Sequence, residues 1–311
     1  MPEKKQTIIG GQALIEGIIM IGPDKSSTVV RRTSGELEVL TEDVTNLKEK
    51  YPVLGFIFIR GVAGLFMSMK RGIKALNYSS NIALEDESFE EDKMDKWLGE
   101  KFGEENKTKV ITLVASVIGI IIPLILFFLL PTLLAGLWDK ILMSTILRNI
   151  CEGVIRIIIF FIFLFAVSKM PDMKRVFAYH GAEHKAIACY EAGEELTPQN
   201  AAKFKKEHPR CGTSFLFSVM IVSIIVFSFV SWSNPFIRFV LRLALLPVVV
   251  GVSYEINRYI GRNNNFLCRF LRFPGEFMQR FTTNTPDDTM LEVACTALSN
   301  VIPSDDTSDK W

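Results

Sequence analysis

Long apolar runs fill the middle of this chain, from about Val110 to Tyr254, and polar sequence of mixed charge lies on either side. Runs of this length predict membrane-spanning helices. Four are expected: Val110–Trp138, with Pro123 and Pro131 inside it, Leu147–Met170, Ser214–Trp232 and Pro235–Tyr254. A shorter run, Val53–Met69, carries Arg60 and is followed by Lys70, Arg71 and Lys74. It reads as an interfacial or partly inserted helix, with a fifth span as the alternative.

The first fifty residues have a different period. Thr28–Thr33 and Glu36–Leu40 alternate about Ser34-Gly35 and predict a β-hairpin. Ile9–Gly17 precedes it, and its glycines suit a close backbone approach. The segment lacks the G-K-[ST] of a phosphate loop; it is either a bulged strand or a site contributor through Gln12 or Glu16. Residues 85–106 are acidic and amphipathic, a surface helix or linker. Glu276–Asn300 reads as an interfacial segment leading into a capped, solvated helix, and Pro303–Trp311 as a disordered tail.

The expected fold is therefore a polytopic α-helical membrane protein with a small β-containing amino-terminal cytoplasmic part. It has about four transmembrane helices plus an interfacial or fifth membrane helix. The segments are a β-rich stretch (1–50), an interfacial helix and acidic linker (51–108), a transmembrane hairpin (109–170), a histidine-containing loop (171–213), a second hairpin (214–255) and a carboxy-terminal segment (256–311). Lys169, Lys174, Arg175, Lys185, Lys203, Lys205, Lys206 and Arg210 lie in or beside the histidine loop, whereas the turn at 231–235 has no basic residue. Basic loops stay in the cytoplasm, so this loop and both termini are expected there. The sequence has no signal-peptide pattern, and its amino terminus is expected to be retained.

Composition narrows the partners. A net charge of +1 argues against nucleic acid and leaves the bilayer as the expected partner, with an oligomer compatible. Five cysteines without a C-x-x-C fit a reducing compartment.

The candidate chemistry lies in the loop. The chain's three histidines, His180, His184 and His208, fall within 29 residues. His180, Glu183 and His184 form H-x-x-E-H, which places two imidazoles one helical turn apart with a carboxylate beside them. The helix is expected over Tyr179–Ala192, ending near Gly193. Cys211 stands just before the third expected span, where Thr213 or Ser214 can cap the helix and Arg210 is adjacent. A set of His180, His184 and His208 with Cys211 or Glu183 fits a divalent ion, zinc first. With three protein ligands and water in the fourth position the site is hydrolytic in type, and Glu183 is its general base. With His208 and Cys211 both bound it is a structural clasp. A metal-free Cys211–His208 nucleophile and an ordinary polar cluster are further readings. Glu191 is placed to orient a ligand or bind a second ion, and Arg210 to attract an anionic or lipid substrate.

A second set of charges lies within the apolar runs. Glu152 and Arg156 are four apart, as are Arg238 and Arg242. At similar expected depth near the outer surface they predict a shared network, away from the histidines. Helix pairing and an anion route are both compatible with it.

Four blocks resemble one family: GGQALIEGIIM, YHGAEHKAIACYE, HPRCGTSFL and RFPGEFMQRFTTNTPDD, in this order. They look like the YqhQ-like bacterial membrane family, domain-of-unknown-function family 1385, whose members are described as predicted metal-dependent enzymes. The resemblance covers nearly the whole chain. It implies that His180, Glu183, His184, His208 and Cys211 belong to one site. It also gives weight to Gly11, Gln12, Glu16 and Gly17, and to Gln279, Arg280, Thr282 and Thr283. It supplies no substrate. The expected function is a metal-dependent membrane hydrolase facing the cytoplasm; the alternative is a metal-stabilised transport, assembly or scaffold protein.

Overall fold

A computed structural model describes residues 6–44, 51–84, 117–137, 144–229, 235–263 and 265–304, with Gly103, Val110, Val114 and Asp309 as isolated positions. The acidic stretch 85–106 lies outside the described residues apart from Gly103. Four strands come first: β1 (Gly10–Leu14), β2 (Gly17–Ile21), β3 (Lys25–Arg31) and β4 (Leu37–Asp43). The helices are α1 (Ile59–Leu84), α2 (Val117–Gly136), α3 (Thr145–Lys169), α4 (Pro171–Glu191), the short α5 (Pro198–Ala202), α6 (Gly212–Ser228), α7 (Pro235–Arg262), α8 (Phe266–Thr282) and α9 (Asp288–Ser299). The chain divides into two compact units, Met1–Asp86 with Leu164–Ser223 and Leu246–Trp311, and Glu87–Phe163 with Ile224–Leu245.

In the first unit the strands form an antiparallel meander in the order β1-β2-β3-β4. The predicted hairpin is β3–β4, with Thr28 opposite Leu40 and Arg31 opposite Leu37. Successive side chains of a strand point to opposite faces. Ile18 and Met20 of β2 join Val29, α4 and α9 in one core, while Ile19 joins Leu14 and Ala75 of α1 in another. Cover on both faces explains why β2 and β3 read as nearly continuous buried runs rather than alternating ones. The edge strand β4 carries Glu38, Glu42 and Asp43 instead.

Helix α9 corrects the expectation of a solvated carboxy-terminal helix. Asp287 does cap it, accepting from Met290 N at 2.9 Å. However, Met290, Leu291, Val293, Ala294, Ala297 and Leu298 are buried against α4 and the sheet. Their spacing is that of a core-facing stripe. The tail expectation is corrected at Asp309. Its carbonyl accepts from Ile8 N at 2.7 Å, and its carboxylate accepts from Thr7 Oγ1 at 3.0 Å and Tyr190 OH at 2.8 Å.

The run at Val53–Met69 resolves into a short 3-10 turn, Pro52–Gly55, and the amphipathic α1, which begins at Ile59 and continues to Leu84. Arg60 has a partner: its Nε donates to Glu255 of α7 at 2.7 Å.

Among the described residues, three helices are long and apolar enough to cross a membrane: Val117–Gly136, Ile146–Lys169 and Phe239–Arg262. The expected span Ser214–Trp232 is shorter, because the apolar helix in its place covers 17 residues, Gly212–Ser228. That is about 26 Å at 1.5 Å per residue, below the ~30 Å of a hydrocarbon core. Residues 230–234 lie outside the described part. Helix α7 continues past the expected end at Tyr254 to Arg262.

In the second unit α2 contains a π turn at Ile125–Leu129, and Phe127 meets Phe160 and Phe163 of α3 at ring-centre distances of 5.9 and 5.6 Å. The Glu152 carboxylate accepts from Thr132 Oγ1 at 2.9 Å, from Arg156 at 3.2 Å and from both terminal nitrogens of Arg242. Arg156 Nε donates to the Phe127 carbonyl inside the π turn at 2.8 Å. Of the expected network, Glu152, Arg156 and Arg242 meet; the side chain of Arg238 lies outside the described part.

Candidate metal centre

Helix α4 carries the first two histidines. Proline at its first position suits a helix start, since the missing N–H would have no partner there. It ends just before Gly193, whose φ of +73° is the left-handed turn expected of a helix-terminating glycine. The helix is buried on more than one side. Gly181 faces Asn284, where an added Cβ would stand 2.1 Å from the Asn284 carbonyl oxygen, so only glycine permits this approach. That contact holds the end of α8 against the histidines.

His180 Nδ1 lies 2.8 Å from the Thr282 carbonyl, and His184 Nδ1 pairs with the Lys206 carbonyl. A carbonyl only accepts, so each Nδ1 carries the proton and each Nε2 keeps a free lone pair. His180 Nε2 is 3.2 Å from Cys211 Sγ. The two rings meet edge to face at 4.4 Å. One donor atom from each of His180, His184 and Cys211 falls within 4.8 Å of the others, so this group could hold a metal ion. Burial pulls the His184 pKa down and keeps its imidazole neutral, the form that binds a metal.

Cys211 immediately precedes α6. Its sulfur accepts from Thr213 N at 3.5 Å and lies 3.2 Å from Thr213 Oγ1. The cysteine thus stands in the capping place expected of Thr213 or Ser214.

His208 is brought close but not into the group. Its ring centre is 5.7 Å from that of His184. Its Nδ1 accepts from Arg210 N at 3.4 Å, which leaves Nε2 as the protonated nitrogen, 3.5 Å from Glu191 Oε2. This tautomer is opposite to that of the other two histidines, and both its nitrogens are engaged. Glu191 also accepts from Thr7 N at 2.8 Å and from the Arg210 guanidinium. Burial alone would raise its pKa; the His208 hydrogen bond, Arg210 and Thr7 N–H outweigh that and hold it below the usual carboxylate range. Arg210, expected to meet a substrate, is thereby buried in an ion pair.

Glu183 is also outside the ligand group. Its Oε1 accepts from Gly11 N of β1 at 3.0 Å. An added Cβ on Gly11 would stand 2.5 Å from the Ile19 carbonyl oxygen and 3.2 Å from Glu183 Cδ, which accounts for the glycine. Burial pushes the Glu183 pKa up; His180 and the Gly11 N–H pull the other way. Glu16, at φ +49°, receives Arg175 through two hydrogen bonds of 2.6 Å and Tyr179 OH at 3.2 Å. Gln12 reaches α1, donating to Ser68 Oγ at 2.9 Å.

The residue spacing did not point to the role of α8. Gln279 is fully buried, accepts from His208 N and donates to the His208 carbonyl, both at 2.8 Å. Lys206 Nζ donates to the Thr283 carbonyl at 2.8 Å. The buried Thr282 hydroxyl has no hydrogen-bond partner among the described residues. Arg280 is exposed, over the Phe277 ring.

A mostly helical protein with a small amino-terminal sheet, three apolar helices of spanning length and a His/His/Cys group is the class that these features define. A family model described as "Protein of unknown function (DUF1385)" matches residues 56–304, and the chain belongs to that family. It is 31% identical over 308 residues to "Uncharacterized protein YqhQ" of Bacillus subtilis (strain 168), covering 94% of this chain and 92% of that protein. No solved structure matches.

Proposed function

We propose that this chain is a multi-pass protein of the bacterial cytoplasmic membrane, with a divalent-metal centre on its cytoplasmic side that is hydrolytic in type. One observation carries the reading. His180 and His184 each spend Nδ1–H on a main-chain carbonyl, which keeps Nε2 available beside the Cys211 sulfur. Two imidazoles and a thiol suit a borderline ion, zinc first. Three protein ligands with a position left over are the mark of catalytic rather than structural zinc. When bound, the ion supplies Lewis acidity, polarising a substrate oxygen or activating a water.

The remaining residues fit that chemistry. Glu183, buried beside His180, is the group able to take and return a proton, with Gly11 N–H fixing one carboxylate oxygen. The Thr282 hydroxyl has bonding capacity left for a polar guest. Glu191, Arg210 and His208 form a supporting set rather than a ligand set. The three apolar helices and the basic histidine loop support the membrane placement and its orientation.

Metal analysis of the purified protein tests the centre. About one equivalent of metal is expected in the native chain and in His208→Ala, with loss in His180→Ala/His184→Ala and in Cys211→Ala. A native protein without stoichiometric metal would falsify the reading. If Glu183→Gln keeps both metal and complementation of a null strain, the hydrolytic form fails and a structural centre remains. A second reading, anion or lipid transport or an assembly role, draws on the buried network in which Arg156 and Arg242 share the single carboxylate of Glu152.

A further inference from the structure

Helix α8 has three faces. Cys268, Gly275, Met278, Gln279 and Thr282 are buried in the first unit. Phe266, Phe270, Phe273 and Phe277 form a second stripe at spacings of four, three and four residues, and the first three are 78%, 67% and 62% exposed. Between these faces run Arg269, Arg272, Glu276 and Arg280, three cations and one anion. A row of exposed phenylalanines on a protein surface marks an interaction site.

The occupant follows from what precedes the helix. Helix α7 contains one of the three segments apolar and long enough to cross a membrane, and that segment ends at Arg262. Only residues 263–265 separate it from α8. Three residues reach at most about 10 Å. If Phe239–Arg262 crosses the bilayer, α8 begins at the bilayer surface. Its aromatic stripe faces acyl chains and its arginines lie alongside, at headgroup depth. The surplus of positive charge selects an anionic surface. Arg272 is steadied there, donating to the Ile260 and Asn263 carbonyls at 3.0 and 2.8 Å.

We propose that α8 is an interfacial helix that docks the metal centre on the anionic cytoplasmic leaflet through Phe266, Phe270, Phe273 and Phe277. This rests on the membrane reading above. The opposite face of the same helix supplies the Thr282 carbonyl to His180 and the Gln279 carboxamide to His208, so the anchor and the frame of the centre are one element.

The test uses the full chain in liposomes, with Trp97, Trp138, Trp232 and Trp311 replaced by Phe and a single reporter, Phe270→Trp or Phe273→Trp. Val39→Trp, on the exposed edge strand, is the control. In phosphatidylglycerol-containing vesicles, brominated acyl chains should quench either reporter at least twofold more than the control, and acrylamide should quench the control more. Reporters open to acrylamide and blind to brominated lipid overturn the docking. Reporters shielded from both quenchers also overturn it, in favour of a protein partner or a second copy. Equal lipid quenching in pure phosphatidylcholine overturns the selection of an anionic surface. Failure of the native chain to float with liposomes overturns the membrane reading itself. Metal content, measured in the same samples, reports on the centre independently.

Discussion

Gln279 pairs with the main chain of His208 as another peptide would, accepting its N–H and donating to its carbonyl, each at 2.8 Å and both out of water. The loop that carries His208 toward Cys211 is therefore held across 71 residues of sequence by one carboxamide. Gln279→Ala strands two buried main-chain groups. Each costs about 1–3 kcal/mol, so a loss of about 2–6 kcal/mol is expected in denaturant unfolding of the detergent-solubilised protein. Gln279→Glu keeps the acceptor but turns a buried carboxylate oxygen toward the His208 carbonyl, so it should lose at least as much. An unchanged midpoint in both variants would contradict the role given to this side chain.

Gly11 sits where strand β1 meets Glu183. Gly11→Ala must push against the Ile19 carbonyl, the buried Met20 sulfur and the Glu183 carboxyl, none of which is free to move into solvent. Overpacking of this kind costs about 1–3 kcal/mol. Thermal unfolding of Gly11→Ala, compared with Gly10→Ala, where an added Cβ meets nothing within 4 Å, separates crowding from a general intolerance of alanine in β1.

Two arginines depend on Glu152. Removing a buried partner leaves uncompensated charge and costs about 3–5 kcal/mol. Glu152→Ala should therefore lower the amount of folded, monodisperse protein and its thermal midpoint. Glu152→Gln/Arg242→Gln, which removes one charge of each sign, should recover part of the loss. If Glu152→Ala behaves as wild type on size exclusion and in thermal melts, the network has no structural role.

The Cys295 thiol in α9 is pushed up to about 12, first by burial and then by the neighbouring Cys189. The ordinary value is 9.0. The folded chain keeps this proton after the unfolded chain has released it. Its contribution to stability is whole below pH 9 and is lost as pH rises through about 12. Urea unfolding at pH 8 and pH 11 should show a steeper decline for the native protein than for Cys295→Ala. Equal declines would remove Cys295 from the account.

Much of this was open to reading in the residues. The β3–β4 hairpin follows from alternation about Ser34-Gly35, and the end of α4 from Gly193. The pairing of His180 with His184 follows from a spacing of four, and Cys211 from its place before an apolar helix. What separates His208 from its two counterparts is the direction in which its ring faces. That depends on Glu191 and Arg210, which come from a helix and a loop whose packing no spacing reports. The same holds for Gln279 and Thr282. The family resemblance gave them weight, but a carboxamide clamp and a carbonyl acceptor leave no periodic trace. Helix α9 carries both signals: Asp287, Asp288 and Glu292 mark a wet side, and the apolar stripe from Met290 to Leu298 marks the buried one that its packing obeys.

Residues nearly three hundred positions apart in the chain share one core. Thr7 and Ile8 bond to Asp309, Asn300 donates to Ser27 Oγ at 3.1 Å, and α9 covers the face of the sheet that Ile18, Met20 and Val29 present. The sheet leaves the ribosome well before α9, which covers it, has been synthesised. Contacts of such long sequence separation form slowly and leave apolar surface waiting. The amino-terminal strands must stay soluble, or in the keeping of a chaperone, until the apolar helices have been made. Truncation near residue 287 would leave that face of the sheet covered by α4 alone.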